Sequence, residues 1–232
     1  MHARSVQPEI LDELPPDDPR AIQSRRDLRT INAFMRHAPF ITRAMRAAPH
    51  MPAVVVELGA GDGSLLLNVA KRLGRTPSGV RALLVDLHPS MSEQTRADFA
   101  DVGWDVESCA ADVFEWLSDP PIDRADVMIA NLFLHHFRDR ELAALLSATA
   151  QRTLRFIACE PLRSRVALAG VAMMPLIGCN AVTLHDGKIS VRAGFRDGEL
   201  RALWPVDPEW QITEQRSGLF SHTFVAHRSR AG

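Results

Sequence analysis

Between residues 53 and 159 short, wholly apolar runs alternate with amphipathic ones. Val54, Val55 and Val56 stand together without polar alternation, as in a strand buried on both faces of a parallel sheet. Further strand-like runs fall at 81–86, 104–109, 125–131 and 153–159, and helix-like runs at 64–73, 89–100, 113–118, 138–150 and 162–174. Five such units with short connections predict a doubly wound α/β sheet, mainly parallel, with helices on both faces. The rhythm then changes. A short helix near Asp197 to Leu203 precedes strand-like runs from Trp210 to Gln215 and Leu219 to His227, joined by Ser217-Gly218 as an antiparallel hairpin.

The flanks read differently. Residues 1–19 hold Pro8, Pro15, Pro16 and Pro19 among acids, which predicts a loosely attached, flexible arm. Asp18 and Pro19 have the order of an N-cap and first helical residue. The helix they start, about 20–37, shows Leu28, Ile31, Phe34 and Met35 on one face and Arg25, Arg26, Arg29 and Arg36 elsewhere. Residues 20–50 therefore form a helical cap over the domain at 51–232. Val166 to Val182 is the most apolar stretch, but Gly170, Pro175, Gly178 and Asn180 interrupt it and it falls short of the roughly 20 residues of a membrane span. It is expected to be buried, or to act as a cover, within a segment at about 162–205.

Composition narrows the function. At 232 residues, 46% of them hydrophobic, the chain supports one α/β domain with an appended segment. A net charge of -1 gives no basic field for nucleic acid or an anionic membrane. Cys109, Cys159 and Cys179 lack a CxxC spacing and fit reduced thiols of a cytoplasmic protein. The absence of tyrosine excludes a short-chain dehydrogenase with a Tyr-x-x-x-Lys proton donor.

The first strand runs into Glu57-Leu58-Gly59-Ala60-Gly61-Asp62-Gly63, and Ser64 to Leu73 follows as a helix. Glycine admits positive φ and close approach of backbone to a ligand, so this loop is a cofactor-site candidate, or a βα turn using glycine for geometry alone. In an open α/β sheet ligands bind beyond the carboxyl ends of the strands. The second strand ends in Asp86, followed by Leu87, 23 residues after Gly63 and close to the roughly 20-residue offset of a ribose-binding acid. Asp112, with Val113 and Phe114 behind it, could accept from an adenine amino group. Both acids are equally suited to cap helices. The fourth strand ends in Asn131-Leu132-Phe133-Leu134-His135-His136-Phe137. Neighbouring histidines there are expected to point apart rather than share a metal, and no metal site is anticipated.

Together these residues resemble the class I methyltransferases dependent on S-adenosylmethionine, small-molecule type, whose first motif is acidic-x-Gly-x-Gly-x-Gly. A dinucleotide fingerprint starting at Gly59 would need glycine at 64, where Ser64 stands. The resemblance covers residues 50 to 160 and the terminal hairpin. It implies a Rossmann-like, seven-stranded sheet of order 3-2-1-4-5-7-6, with the last strand antiparallel. It also implies that the loop at Gly59, Ala60, Gly61 and Gly63 holds the amino acid part of S-adenosylmethionine, with Glu57 near its ammonium, Asp86 and Leu87 at the ribose, Asp112 and Val113 at the adenine, and Asn131 and Leu132 bordering the methyl group.

The expected reaction is methyl transfer to a hydrophobic or aromatic small molecule, such as a phenol, quinone precursor or polyketide-like compound, leaving S-adenosylhomocysteine. No Asn/Asp-Pro-Pro-aromatic run follows the fourth strand, which disfavours nucleic acid as acceptor. His135 or His136 is the candidate base for O- or C-methylation, with His222 a distant third. Met173 and Met174 suit an apolar acceptor or a plain core helix equally. A non-catalytic cofactor-binding module and a nicotinamide-dependent oxidoreductase remain alternatives, and the oligomeric state is left open.

Overall fold

The computed structural model describes residues 3–15, 17–76 and 79–229. Seven strands form one sheet in the order β3-β2-β1-β4-β5-β7-β6: β1 (Val54–Leu58), β2 (Val80–Asp86), β3 (Trp104–Ala110), β4 (Val127–Asn131), β5 (Arg155–Pro161), β6 (Trp210–Ser217) and β7 (Ser221–Arg228). The first five are mutually parallel, while β7 runs antiparallel to both neighbours. This is the predicted Rossmann-like order. Strand order reverses between β1 and β4, which are parallel neighbours, so they meet at the sheet's switch point, where their carboxyl ends open a ligand crevice.

Helices cover both faces. On one, α3 (His37–Arg46), α4 (Ser64–Leu73) and α5 (Glu93–Asp101) close over Val55, Ala82, Leu84 and Ile129. On the other, α6 (Val113–Ser118), α7 (Asp139–Arg152) and α10 (Glu199–Leu203) close over Val56, Leu83, Met128 and Phe156. The alternate valines of β1 thus serve opposite cores, which is why that strand carries no polar alternation.

Three regions differ from expectation. The helix anticipated over 20–37 is two helices, α2 (Pro19–Met35) and α3, broken at Arg36 with φ 59°. Asp18 caps α2 by accepting from the Arg20 amide at 2.8 Å. The buried face of α2 is Ala21, Ser24 and Asp27, whereas Phe34 is 71% exposed. Polar docking decides that face. Asp27 accepts from the Asn180 amide at 2.9 Å and from the Thr183 hydroxyl at 2.8 Å, at the N-terminus of α9 (Ala181–Ala193). A carboxylate there is favoured by the helix dipole.

The unforeseen α9 is capped by Asn180, which accepts from the Thr183 amide. It packs on α8 (Arg165–Met173) through Gly187, where a Cβ would lie 3.2 Å from Val171. The segment at 162–205 is therefore largely helical.

The arm is docked rather than loose. Arg4 lies 4.2 Å over the Phe195 ring and donates to Asp139 at 2.7 Å and to the carbonyls of Ala193 and Phe137. Beyond it a single turn, α1 (Ile10–Glu13), is held by Asp186, which accepts the amides of Ile10 and Leu11 at 2.9 and 3.0 Å. Hydrogen bonds and a stacked cation hold a segment too polar to bury by apolar area. Met1, His2 and Pro16 of the arm lie outside the described residues.

Candidate active site

The glycine loop joins β1 to α4 with φ of 69°, 56° and 72° at Gly59, Gly61 and Gly63. Side-chain packing fixes two of them. A Cβ on Gly59 would stand 2.2 Å from the Phe133 ring, and one on Gly63 would stand 2.5 Å from Leu84. At Gly61 an added Cβ meets nothing within 4 Å, so this glycine faces open space. Four of the loop's amide donors are spent internally. The amides of Gly59 and Ala60 both donate to the Val85 carbonyl, that of Gly61 to Asp86, and that of Gly63 to the Ala60 carbonyl. These amides no longer form the phosphate cradle that a glycine loop can offer.

The strand ends supply acceptors instead. Glu57 is buried and its Oε2 has no partner among the described residues. Burial, then the nearby charges of Asp62 and Asp86, push its carboxyl up to about 8. Asp86 accepts from the Gly61 amide through Oδ2 and from the His88 amide through Oδ1, both at 2.8 Å. Asp112 caps α6 through Oδ1, accepting from Phe114 and Glu115. Asn131 is buried beside His37, donates to Asn32 of α2 at 3.2 Å, and its Oδ1 has no hydrogen bond of normal geometry among the described residues. Leu87 is 61% exposed, whereas Val113 is buried in the core beneath α6.

After Asn131 the chain turns through Leu132, whose φ of 50° is left-handed. Such a conformation costs on the order of 1–3 kcal/mol and persists where the surroundings over-determine it. Glu160, fully buried at the end of β5, supplies that constraint. Its Oε1 accepts the amides of Phe133 and Leu134 at 3.0 and 2.9 Å, and its Oε2 holds His135 Nδ1 at 2.7 Å. Glu9 of the arm lies 3.4 Å from His135 Nε2. Burial opposes a charge on this imidazole, but the hydrogen bonds to Glu160 and Glu9 and their charges outweigh it, raising His135 to about 9. Both of its ring nitrogens thus face carboxylates, Nδ1 that of Glu160 and Nε2 that of Glu9, so His135 is less open than His136 to a proton from an acceptor. His136 is half-buried, with Nδ1 3.4 Å from Asp12 of α1. His222 is buried against Glu214 at 2.8 Å, between β6 and β7.

Residues 56–155 match the family model described as "Methyltransferase domain". No curated protein sequence matches the chain. Among solved structures, the plantazolicin methyltransferase BamL, in complex with a triazolic desmethylPZN analog and SAH, superposes with a TM-score of 0.67 at 10% identity, over 94% of this chain and 93% of that one. The plantazolicin methyltransferase BpumL, in complex with SAH, gives 0.63 at 11% identity over 92% of each chain. Magnesium protoporphyrin IX methyltransferase from Synechocystis PCC 6803, with bound SAM, gives 0.57 at 15% identity over 89% of this chain and 84% of that one. At such identities the likeness is one of fold. Residues 56–155 are thus similar to a methyltransferase domain, and the chain has the fold of these methyltransferases.

Three residues of the site escape a motif-by-motif reading. Glu160 braces the turn after β4, Asn32 reaches Asn131, and Arg29 pairs with Asp62 of the loop at 2.9 Å. Glu160 carries a usable signal, since an acid ends the apolar run Phe156 to Cys159 as Glu57 and Asp86 end theirs. Nothing local marks Asn32 or Arg29. Of the methionines in the expected cover, Met173 is 61% exposed, while Met174 packs with Val171 and Leu184 in a satellite cluster.

Proposed function

We propose that the chain is an S-adenosylmethionine-dependent methyltransferase acting on a hydrophobic or aromatic small molecule, by O- or C-methylation. The observation that carries this reading is the surplus of acceptors at the strand ends: Glu57 Oε2 and Asn131 Oδ1, which accept no hydrogen bond among the described residues, and the carboxylates of Asp86 and Asp112. Such a set suits a ligand rich in donors, with an ammonium, ribose hydroxyls and an adenine amino group. A dinucleotide's pyrophosphate would meet carboxylates and amides already engaged.

In this reading Glu57 takes the ammonium, Asp86 the ribose hydroxyls and Asp112 the adenine amino group, while Asn131 and Leu132 border the reacting centre. When bound, the cofactor supplies a methyl group on a sulfonium, a leaving group that needs no further activation. The protein's part is alignment and exclusion of water, and positioning can be worth as much as about 7–11 kcal/mol. Leu132, held in its left-handed turn by Glu160, fixes one wall. Where a hydroxyl or activated carbon must lose a proton, His136 is the imidazole left to receive it.

The acceptor class rests on apolar surface. Met173, Leu176 and Ile177 project at the end of α8, and Phe34 of α2 packs 5.9 Å from Phe220 of the β6–β7 turn. Structural neighbours named for a triazolic plantazolicin analog and for magnesium protoporphyrin IX are consistent with a bulky acceptor. Incubation with S-adenosylmethionine and a panel of phenols, read as S-adenosylhomocysteine release, tests the reading. Turnover with at least one phenol is expected. Cofactor binding with no turnover on phenols, quinone precursors or polyketide-like compounds would remove the acceptor assignment.

A further inference from the structure

The turn after β4 and the docked arm bring three potential ligands, one carboxylate and two imidazoles, to one point. One ligand atom each from Glu9, His135 and His136 lie within 4.8 Å of one another. Residues adjacent in sequence were expected to diverge, but here a single 3-10 turn, Leu134–His136, sets the two imidazoles side by side with ring centres 4.5 Å apart. The third group comes from the distant arm. We propose that Glu9, His135 and His136 form a binding site for one divalent first-row transition metal, with zinc the best fit.

Distances, outer partners and charge support the site independently. His135 Nε2 and Glu9 Oε1 stand 3.4 Å apart. Two ligands at about 2.0–2.1 Å from a tetrahedral zinc are separated by roughly that length. His135 turns its other nitrogen, Nδ1, to the buried carboxylate of Glu160 at 2.7 Å. A metal-bound histidine typically donates its second N–H to a carboxylate in this way, which fixes the tautomer and orients the ring. Asp12 stands 3.4 Å from His136 Nδ1, at the second imidazole.

Three carboxylates, those of Glu9, Asp12 and Glu160, thus surround two imidazoles, and Glu9, His135 and Glu160 are nearly or wholly buried. A dication, taking the place of the proton that His135 Nε2 otherwise holds against Glu9, offsets that excess of negative charge. Two imidazoles and one carboxylate select zinc and its neighbours over magnesium or calcium, which take oxygen ligands.

Glu9 is positioned without help from an ion. The Ser190 hydroxyl donates to its Oε1, and Asp186 fixes the following amides of Ile10 and Leu11. Metal binding would therefore tie an already docked arm to the turn after β4. Three protein ligands leave a fourth position for water. An ion on His136 also withdraws a ring nitrogen from proton transfer, so metal loading and base duty there alternate.

The test uses the full chain, stripped with a chelator and titrated with cobalt(II) as a spectroscopic probe for the zinc site. Visible ligand-field absorption saturating at one ion per chain, and its loss on adding zinc, is the expected result. Glu9→Gln should weaken zinc binding at least about tenfold, the scale seen when even outer partners of a metal site are lost. Unchanged far-ultraviolet dichroism of that variant would show that the fold is intact. Absence of cobalt bands in the wild-type chain, or equal zinc affinity in folded Glu9→Gln, would overturn the proposal.

Discussion

The backbone N–H of Gly61 donates to Asp86 Oδ2 at 2.8 Å, so the acid ending the second strand braces the one loop glycine that faces open space. Asp86 thereby acts twice, as a support for the loop and as a candidate ribose ligand. Asp86→Ala should weaken S-adenosylhomocysteine binding by about 1–3 kcal/mol, the scale for a hydrogen bond to a charged group. Titration calorimetry measures this, and an unchanged affinity would take Asp86 out of the site.

Glu57 gives the free protein a proton to release. Its folded pKa of about 8 lies above the ordinary 4.5, so at pH 7 the folded chain holds the proton that the unfolded chain has lost. Its contribution to stability is accordingly full below about pH 4.5 and falls as pH rises toward 8. An ammonium beside it favours the carboxylate, so S-adenosylhomocysteine binding at pH 7 should release close to one proton. Calorimetry in buffers of different ionisation enthalpy reads this directly. Glu57→Gln should abolish the release, and equal heats across buffers in the wild type would refute the assignment.

The glycines of the loop should differ in their tolerance. Gly59→Ala drives a Cβ into the Phe133 ring at 2.2 Å, whereas Gly61→Ala meets nothing and carries only the strain of its φ of 56°. The second change should cost about 1 kcal/mol of stability and the first several times more. Thermal unfolding separates them. Equal melting temperatures would show that the Phe133 ring moves freely and does not fix the loop.

Glu160 should matter more for rate than its distance from the loop suggests. Glu160→Gln removes the charge facing His135 and leaves a single acceptor, so the side chain can hold either the two turn amides or His135 Nδ1 but not both. Leaving His135 with the carboxylate of Glu9 alone, 3.4 Å from Nε2, should destabilise the fold by roughly 3–5 kcal/mol, as for other broken buried pairs. At temperatures where the variant stays folded, kcat should fall more than cofactor affinity. A parallel loss of both would mean that Glu160 supports the fold alone.

The sheet was legible because its signal is local. Val54 to Val56, the acids ending β1 and β2, and the hairpin at Ser217-Gly218 each follow from a few adjacent residues. Features made by distant partners were not. The buried face of α2 is chosen by Asp27 meeting Asn180, 153 positions away, and not by the apolar stripe containing Phe34. The arm's docking depends on Arg4 reaching Asp139 and Phe195, and nothing near His135 in the sequence marks Glu160 and Glu9 as the carboxylates facing its two ring nitrogens. Polar pairing across the fold has no periodicity to betray it.

The most direct test of the central claim is calorimetry of the purified chain against S-adenosylhomocysteine, with NAD as the comparison. The acceptor-rich strand ends predict saturable binding of S-adenosylhomocysteine at one per chain and no binding of NAD. Binding of NAD with no heat from S-adenosylhomocysteine would contradict the assignment of Glu57, Asp86, Asp112 and Asn131.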